Sequence, residues 1–143
     1  ASADRIKEIV GEIHAAVGHA MLDTFAERRA DYAATVAAWR EVAGALPGGM
    51  VMPPDLASVY ILWDAPDEAM HLAATEALTA ARIDSRRWYE TGLHRMPHFA
   101  NGQVLPVTER LGTRLLGLPM AHDLPRAQME RIVRVILTAL QGG

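Results

Sequence analysis

Apolar residues at Ile6, Ile9, Val10, Ile13, Val17, Ala20, Met21, Phe25, Tyr32, Val36 and Trp39 recur three and four positions apart, the spacing that lines one face of an α-helix. The pattern predicts helix over 6–46, with Asp4 as a cap and Pro47, Gly48 and Gly49 as the stop. Such a run exceeds the usual globular helix of about 10–14 residues. A break is therefore expected at Gly11, at Gly18 or within the polar stretch 23–31. Beyond it, an alanine-rich stretch with Glu27, Arg28, Arg29 and Asp31 turned outward reads as an amphipathic helix.

The pattern then changes period. Residues 50–56 form a proline-bearing connector. Residues 58–63 are β-branched and aromatic, hence a strand, ended by Asp64, Pro66 and Asp67. Asp67 is a candidate N-cap and Glu68 suits the positive end of a helix over 68–81, with Met70, Ala74 and Leu78 inward. A second short strand is expected over 83–88, followed by a long irregular stretch over 89–105. A loop of that length inside a small domain is a place to look for function. Pro106 opens a helix to about 115, residues 116–120 read as extended, and Pro125 opens the last helix, to about 140. This order predicts an α+β fold: a small sheet covered by helices, preceded by a long N-terminal helical segment. The expected organisation is one domain over 1–143, with a helical segment 1–46 and an α/β unit 47–143.

Composition narrows the chemistry. The chain has 143 residues, no cysteine and a formal charge of −3. Thiolate chemistry, disulfides and cysteine-held zinc are excluded. Without a basic block there is no nucleic-acid footprint, and no apolar run approaches the roughly 20 residues that cross a bilayer. A cytoplasmic location is the expectation. Of the 14 basic residues only Lys7 is a lysine, and arginine cannot form an imine because it stays protonated. Lys7, flanked by Glu8 in a helical pattern, reads as a surface residue.

Other constellations carry less. His94 and His98 have the spacing of two ligands on one helical turn, but Pro97 between them disfavours a helix, so no metal is expected. His98 with Phe99 reads as loop packing. Trp88 and Tyr89 end a strand beside the long loop and could stack on a sugar ring or cofactor face, or could be core. Arg86 and Arg87 could each bind an acidic group; adjacent strand residues face opposite ways, so at most one does so here. His14 and His19 read as solvent or dimer-contact residues on the first helix. Glu109 favours its helix dipole, with Arg110 or Arg114 as an expected partner. Ser2, Ser58 and Ser85 lack a nucleophile-elbow context, and residues 120–123 read as a turn feeding the last helix.

Three segments, in order and at sensible spacing, carry a resemblance. They are Glu12 to Leu22 (EIHAAVGHAML), then Arg86-Arg-Trp-Tyr89 with Gly92-Leu-His94-Arg-Met-Pro97-His-Phe99, and finally Leu105-Pro-Val-Thr-Glu109 with Leu115-Leu-Gly-Leu-Pro119-Met and His122-Asp-Leu-Pro125. Together they resemble the C-terminal small domain of DegT/DnrJ/EryC1/StrS-type sugar aminotransferases. The resemblance implies the small domain of a fold-type-I, pyridoxal-phosphate enzyme that moves an amino group to a keto-sugar or cyclitol. It implies a dimer with sites at the subunit boundary, and a large domain holding the cofactor and the Schiff-base lysine. It also implies that the residue matching His94 lies in a loop reaching toward a substrate. Near the start the pattern departs: a glycine, an asparagine and a basic-Met-Ser-Glu run are replaced by Arg5-Ile-Lys7-Glu-Ile-Val-Gly-Glu12, and only Glu12 keeps its place.

The candidate substrate-binding residues are therefore His94, Trp88, Tyr89 and Arg86. No catalytic, cofactor or metal residue is assigned. The chain alone is not expected to transaminate or hold pyridoxal phosphate, because that chemistry needs an imine-forming lysine at the cofactor. Its expected partners are the missing large domain or a second copy, and a sugar-like small molecule, with neither nucleic acid nor membrane. In a second reading the chain is a stand-alone ligand-binding, assembly or cofactor-independent biosynthetic protein. In either case Ile9, Ile13, Val17 and Met21 form an apolar helix face that needs a partner.

Overall fold

The computed structural model describes residues 11–52, 60–88, 90, 92–100 and 102–142. Asp4, Lys7 and Ile9 lie outside them, as do Ser58 and Tyr89. The expected long helix is two helices, α1 (Glu12–Asp23) and α2 (Phe25–Val42), broken at Thr24 inside the polar stretch. Thr24 ends one helix and starts the next, with its backbone bent out of helical geometry at ψ 4°. A 3-10 turn (Ala43–Ala45) follows α2.

Three helices, four strands and a second 3-10 turn (Leu93–Arg95) complete the described chain: β1 (Gly49–Val51), β2 (Ile61–Asp64), α3 (Glu68–Ala80), β3 (Arg86–Arg87), α4 (Pro106–Gly112), β4 (Leu115–Leu118) and α5 (Arg126–Gln141). The strands form one antiparallel sheet in the order β1-β2-β4-β3. This is the α+β fold expected, a small sheet covered by helices.

The core lies between one sheet face and helices α2, α3 and α5. Ile61 and Trp63 of β2 and Leu116 and Leu118 of β4 face that side; β2 alternates buried and half-buried, as a strand with one solvated face does, whereas every residue of β4, at the centre of the sheet, is buried. In α5, Met129, Ile132, Val133 and Ile136 repeat at helical spacing and are all buried. Trp39 and Trp63 are fully enclosed, and the Trp63 indole N–H donates to the Pro47 carbonyl at 2.7 Å. That bond pins the end of the α2 segment to the sheet. Asp67 caps α3 as expected, accepting from the Met70 N–H at 2.8 Å.

Four details differ from the sequence expectation. Part of the proline-bearing connector pairs with β2 as strand β1, with Met50 opposite Trp63. The buried stripe of α3 is His71, Ala74 and Leu78, and Met70 is only half-buried. The strand expected over 83–88 shrinks to Arg86–Arg87, because its first residues close α3 instead. The Ile83 N–H bonds the Leu78 carbonyl and Arg82 takes a φ of 55°, a helix-ending arrangement that usually employs glycine. Helix α4 stops at Gly112, short of the expected 115, where the Glu90 backbone packs so closely that a Cβ would overlap its carbonyl oxygen.

Candidate functional site: the open face of the sheet

The sheet face turned away from the helices carries a lateral row. Val51 lies opposite Leu62, Leu62 opposite Gly117, and Gly117 opposite Arg86. Gly117 leaves this row without a side chain at its centre. A Cβ there would crowd the Arg86 carbonyl oxygen at 3.2 Å, while Cε3 of Trp88 would lie at ordinary contact distance, 3.6 Å. Beside it the Tyr60 and Trp88 rings meet edge to face, with centroids 4.7 Å apart. The Arg86 guanidinium carbon lies 5.9 Å from the Trp88 ring centroid, within cation–π range.

These side chains wall two adjoining hollows. The larger, about 720 Å³, is lined by Tyr60, Arg86 and Trp88 on the sheet side and by Glu90, Leu93 and Met96 on the loop side. The smaller, about 220 Å³, continues along Ile61, Leu62, Gly117 and Pro119. The larger volume falls within the range of about 300–1,000 Å³ typical of small-molecule sites. The backbone around it is shaped rather than regular: Glu90 holds a φ of 37° and Gly92 a φ of 73°. At Gly92 a Cβ would sit 2.9 Å from Thr108 Cγ2 and 3.0 Å from the His94 ring. Only glycine allows the turn to pack this closely.

The expected site residues separate here. Arg86 and Trp88 share the hollow, while Tyr89 lies outside the described residues. Arg87 also borders the hollow, but its register opposite the core-side Leu116 turns its side chain to the other side of the sheet, among Thr75, Thr79 and Arg82. His94 is placed behind the wall: its side chain is 4% exposed and its Nε2 lies 3.1 Å from Glu109 Oε1. Glu109 takes partners other than the expected Arg110 or Arg114. It pairs with Arg95 at 2.8 Å as well as with His94, because the 92–96 turn folds back onto the first turn of α4. The His94 contact, then that of Arg95, holds the Glu109 carboxyl below its ordinary pKa. Arg114 instead pairs with Asp64 at 2.9 Å and donates to the Ala65 carbonyl at 2.7 Å. His98 and Phe99 stack edge to face at 5.0 Å, and Phe99 remains exposed.

Tyr60 and Glu90 were not singled out from the sequence. Tyr60 sits in a strand-like apolar run, and its role beside Trp88 depends on pairing between segments far apart in the chain. Ile13, Val17 and Met21 of α1 are all exposed, by 79%, 56% and 58%, together with Leu22 and Phe25. His14 and His19 are exposed on the same helix. Among the described residues no helix is long and apolar enough to cross a membrane, and no group of three histidines and carboxylates gathers as a metal site.

The profile of the DegT/DnrJ/EryC1/StrS aminotransferase family matches residues 7–137, in a chain of 143. The chain belongs to this family. Among solved structures it is similar to DesI, crystallised in the presence of its TDP-sugar product, with 29% identity over 85% of this chain and 33% of that one, at a TM-score of 0.71. It is also similar to DesV of S. venezuelae in complex with a ketimine intermediate, with 25% identity over 90% of this chain and 36% of that one, TM-score 0.75. A DegT/DnrJ/EryC1/StrS aminotransferase of Brucella abortus, 23% identical over 88% of this chain and 35% of that one, shares the fold at a TM-score of 0.74. No curated protein matches significantly. The chain spans about a third of the length of these solved relatives.

Pyridoxal phosphate, which the family implies, does not fit the described residues. None of them is a lysine, so none offers an amine to the aldehyde. The first turns of α1 to α4 carry the carboxylates Glu12, Glu27, Glu68 and Glu109, which repel a phosphate where free helix N–H groups would cradle one, and Arg126 at the start of α5 is paired with Glu41 and Glu130.

Proposed function

We propose that this chain is the small, C-terminal domain of a pyridoxal-phosphate-dependent aminotransferase that acts on a keto-sugar or cyclitol. In this reading it works against a large domain that holds the cofactor and the imine-forming lysine, in a dimeric enzyme. The observation that carries the reading is the family match over 7–137, supported by the likeness to DesI, whose crystal structure was analysed in the presence of its TDP-sugar product. The exposed row Ile13, Val17 and Met21 is the surface the large domain would cover.

The hollow on the open sheet face suits a sugar carrying an anionic group. A pyranose offers C–H faces to aromatic rings, and Trp88 and Tyr60 present such rings. Arg86 offers a guanidinium, and among the described residues its only interaction is with the Trp88 ring, so its charge is open to a phosphate. Tyr89 is proposed as a further contact of the same ligand, whereas His94, enclosed behind the wall and bonded to Glu109, is proposed to support the loop and not to touch the ligand.

The test has two arms. After incubation with pyridoxal phosphate and borohydride reduction, peptide mass spectrometry should find Lys7 modified no more than background. A TDP-glucose titration should quench Trp88 emission, and Arg86→Met should weaken that binding about tenfold, the worth of one lost charge-assisted contact. Specific labelling of Lys7, or turnover by this chain without any other polypeptide, would refute the small-domain reading in favour of a stand-alone protein. Binding that ignores Arg86 would refute the proposed sugar site.

A further inference from the structure

One oxygen of Glu109 gathers donors from two places in the chain. His94 Nε2 lies 3.1 Å from Oε1, Arg95 Nη2 and Nε approach it at 2.8 Å and 3.2 Å, and the Leu105 backbone N–H donates to it at 3.3 Å. His94 and Arg95 belong to the 92–96 turn, whereas Leu105 directly precedes α4. A single carboxylate therefore closes the segment between Gly92 and Leu105 at both ends.

The side chains that this segment presents to the hollow are Leu93 and Met96, which are 64% and 45% exposed. Neither is part of the packed core, so core burial does not fix their place. What fixes it is the turn's own hydrogen bonds, Arg95 to Gly92 and Met96 to Leu93, and the tie to Glu109. Contacts to an ionised acceptor are roughly twice as strong as neutral ones. The lowered pKa of Glu109 keeps it ionised at neutral pH.

We infer that Glu109 is the positioning residue of the hollow's outer wall: through His94, Arg95 and the Leu105 N–H its negative charge holds Leu93 and Met96 against the space faced by Arg86 and Trp88. Glu109 acts through these groups and does not line the hollow itself. The inference rests on the proposed sugar site only for its effect on binding; the effect on the wall stands apart from the ligand.

Glu109→Gln keeps the side chain's length and one acceptor oxygen but removes the charge. Arg95→Met removes two of the donor contacts from a half-exposed side chain, so the fold survives the change. Amide hydrogen exchange reports the wall, and TDP-glucose titration followed by Trp88 emission reports binding. With Glu109→Gln, exchange at Leu105 and over 93–96 is expected to rise about tenfold while α3 and α5 keep their protection, and the dissociation constant for TDP-glucose to rise about fivefold. Arg95→Met should give an intermediate rise at the same amides. Unchanged exchange at these amides in Glu109→Gln overturns the inference. Should that variant fail to fold, Arg95→Met decides, and wild-type exchange there overturns it equally. If exchange responds but the wild-type chain ignores TDP-glucose, the wall assignment holds and the sugar reading fails.

Discussion

His71 has no exposed surface, and neither ring nitrogen makes a hydrogen bond of ordinary length and angle. Burial pushes its pKa below the usual 6.5, and the charge of Arg87 on β3 pushes the same way. Glu68 on its own helix and the Leu115 carbonyl on β4 oppose them more weakly. Since the folded-state pKa is depressed, the unfolded chain binds the proton more readily. The stability contributed by neutral His71 is complete above about pH 6.5 and is lost as pH falls from there toward the folded value. A single proton limits the slope to about 1.4 kcal/mol per pH unit. For a domain of this size, that is roughly 3–5 °C of Tm per unit. His71→Leu removes both the proton site and the two buried ring nitrogens. At pH 8 it should match the wild type or exceed it by about 1 kcal/mol, because an unsatisfied buried polar group costs about 1–3 kcal/mol and the leucine fills most of the space. Urea unfolding followed by tryptophan fluorescence at pH 8, 7, 6 and 5.5 gives the difference between the two proteins, in which groups titrating alike in both cancel. That difference should widen steadily in favour of the variant below pH 6.5. A difference that stays constant with pH would refute the argument, as would a variant 2 kcal/mol less stable at pH 8.

Two further changes probe the frame around the hollow. Gly112→Ala places a Cβ on the Glu90 carbonyl oxygen, a backbone atom that cannot swing aside. We expect a loss of about 2–3 kcal/mol in urea unfolding, with weakened TDP-glucose binding because Glu90 lines the hollow. Asp67→Ala removes the acceptor for the Met70 N–H and should cost about 1 kcal/mol. It should leave binding unchanged, since α3 lies on the opposite face of the sheet.

Much of the frame was legible from residue order alone. The caps and stops around α3, the helical period of α5 and the apolar run of β2 are local signals, each written within a few neighbouring residues. So was the rule that Arg86 and Arg87 face opposite ways, which follows from strand geometry. The family resemblance was equally legible, because it rests on motifs in linear order. The candidate site was legible only in part: Arg86 and Trp88 stand out as chemistry at a strand end, whereas Tyr60 joins them only after β2, β4 and β3 pair.

Sequence by itself determined which faces had to be buried, where the helices start, and that Lys7 is the one lysine side chain here that could form an imine. Tertiary structure alone decided that Gly49–Val51 is a strand, since three residues with a glycine have no local preference and gain order only from β2. It also decided that Glu109 answers to His94 and Arg95 rather than to its helical neighbours, and that His71 is sealed from solvent. These outcomes depend on closing loops between distant segments, and the free energy of closure is settled by what the ends meet in space, which periodicity along the chain does not encode.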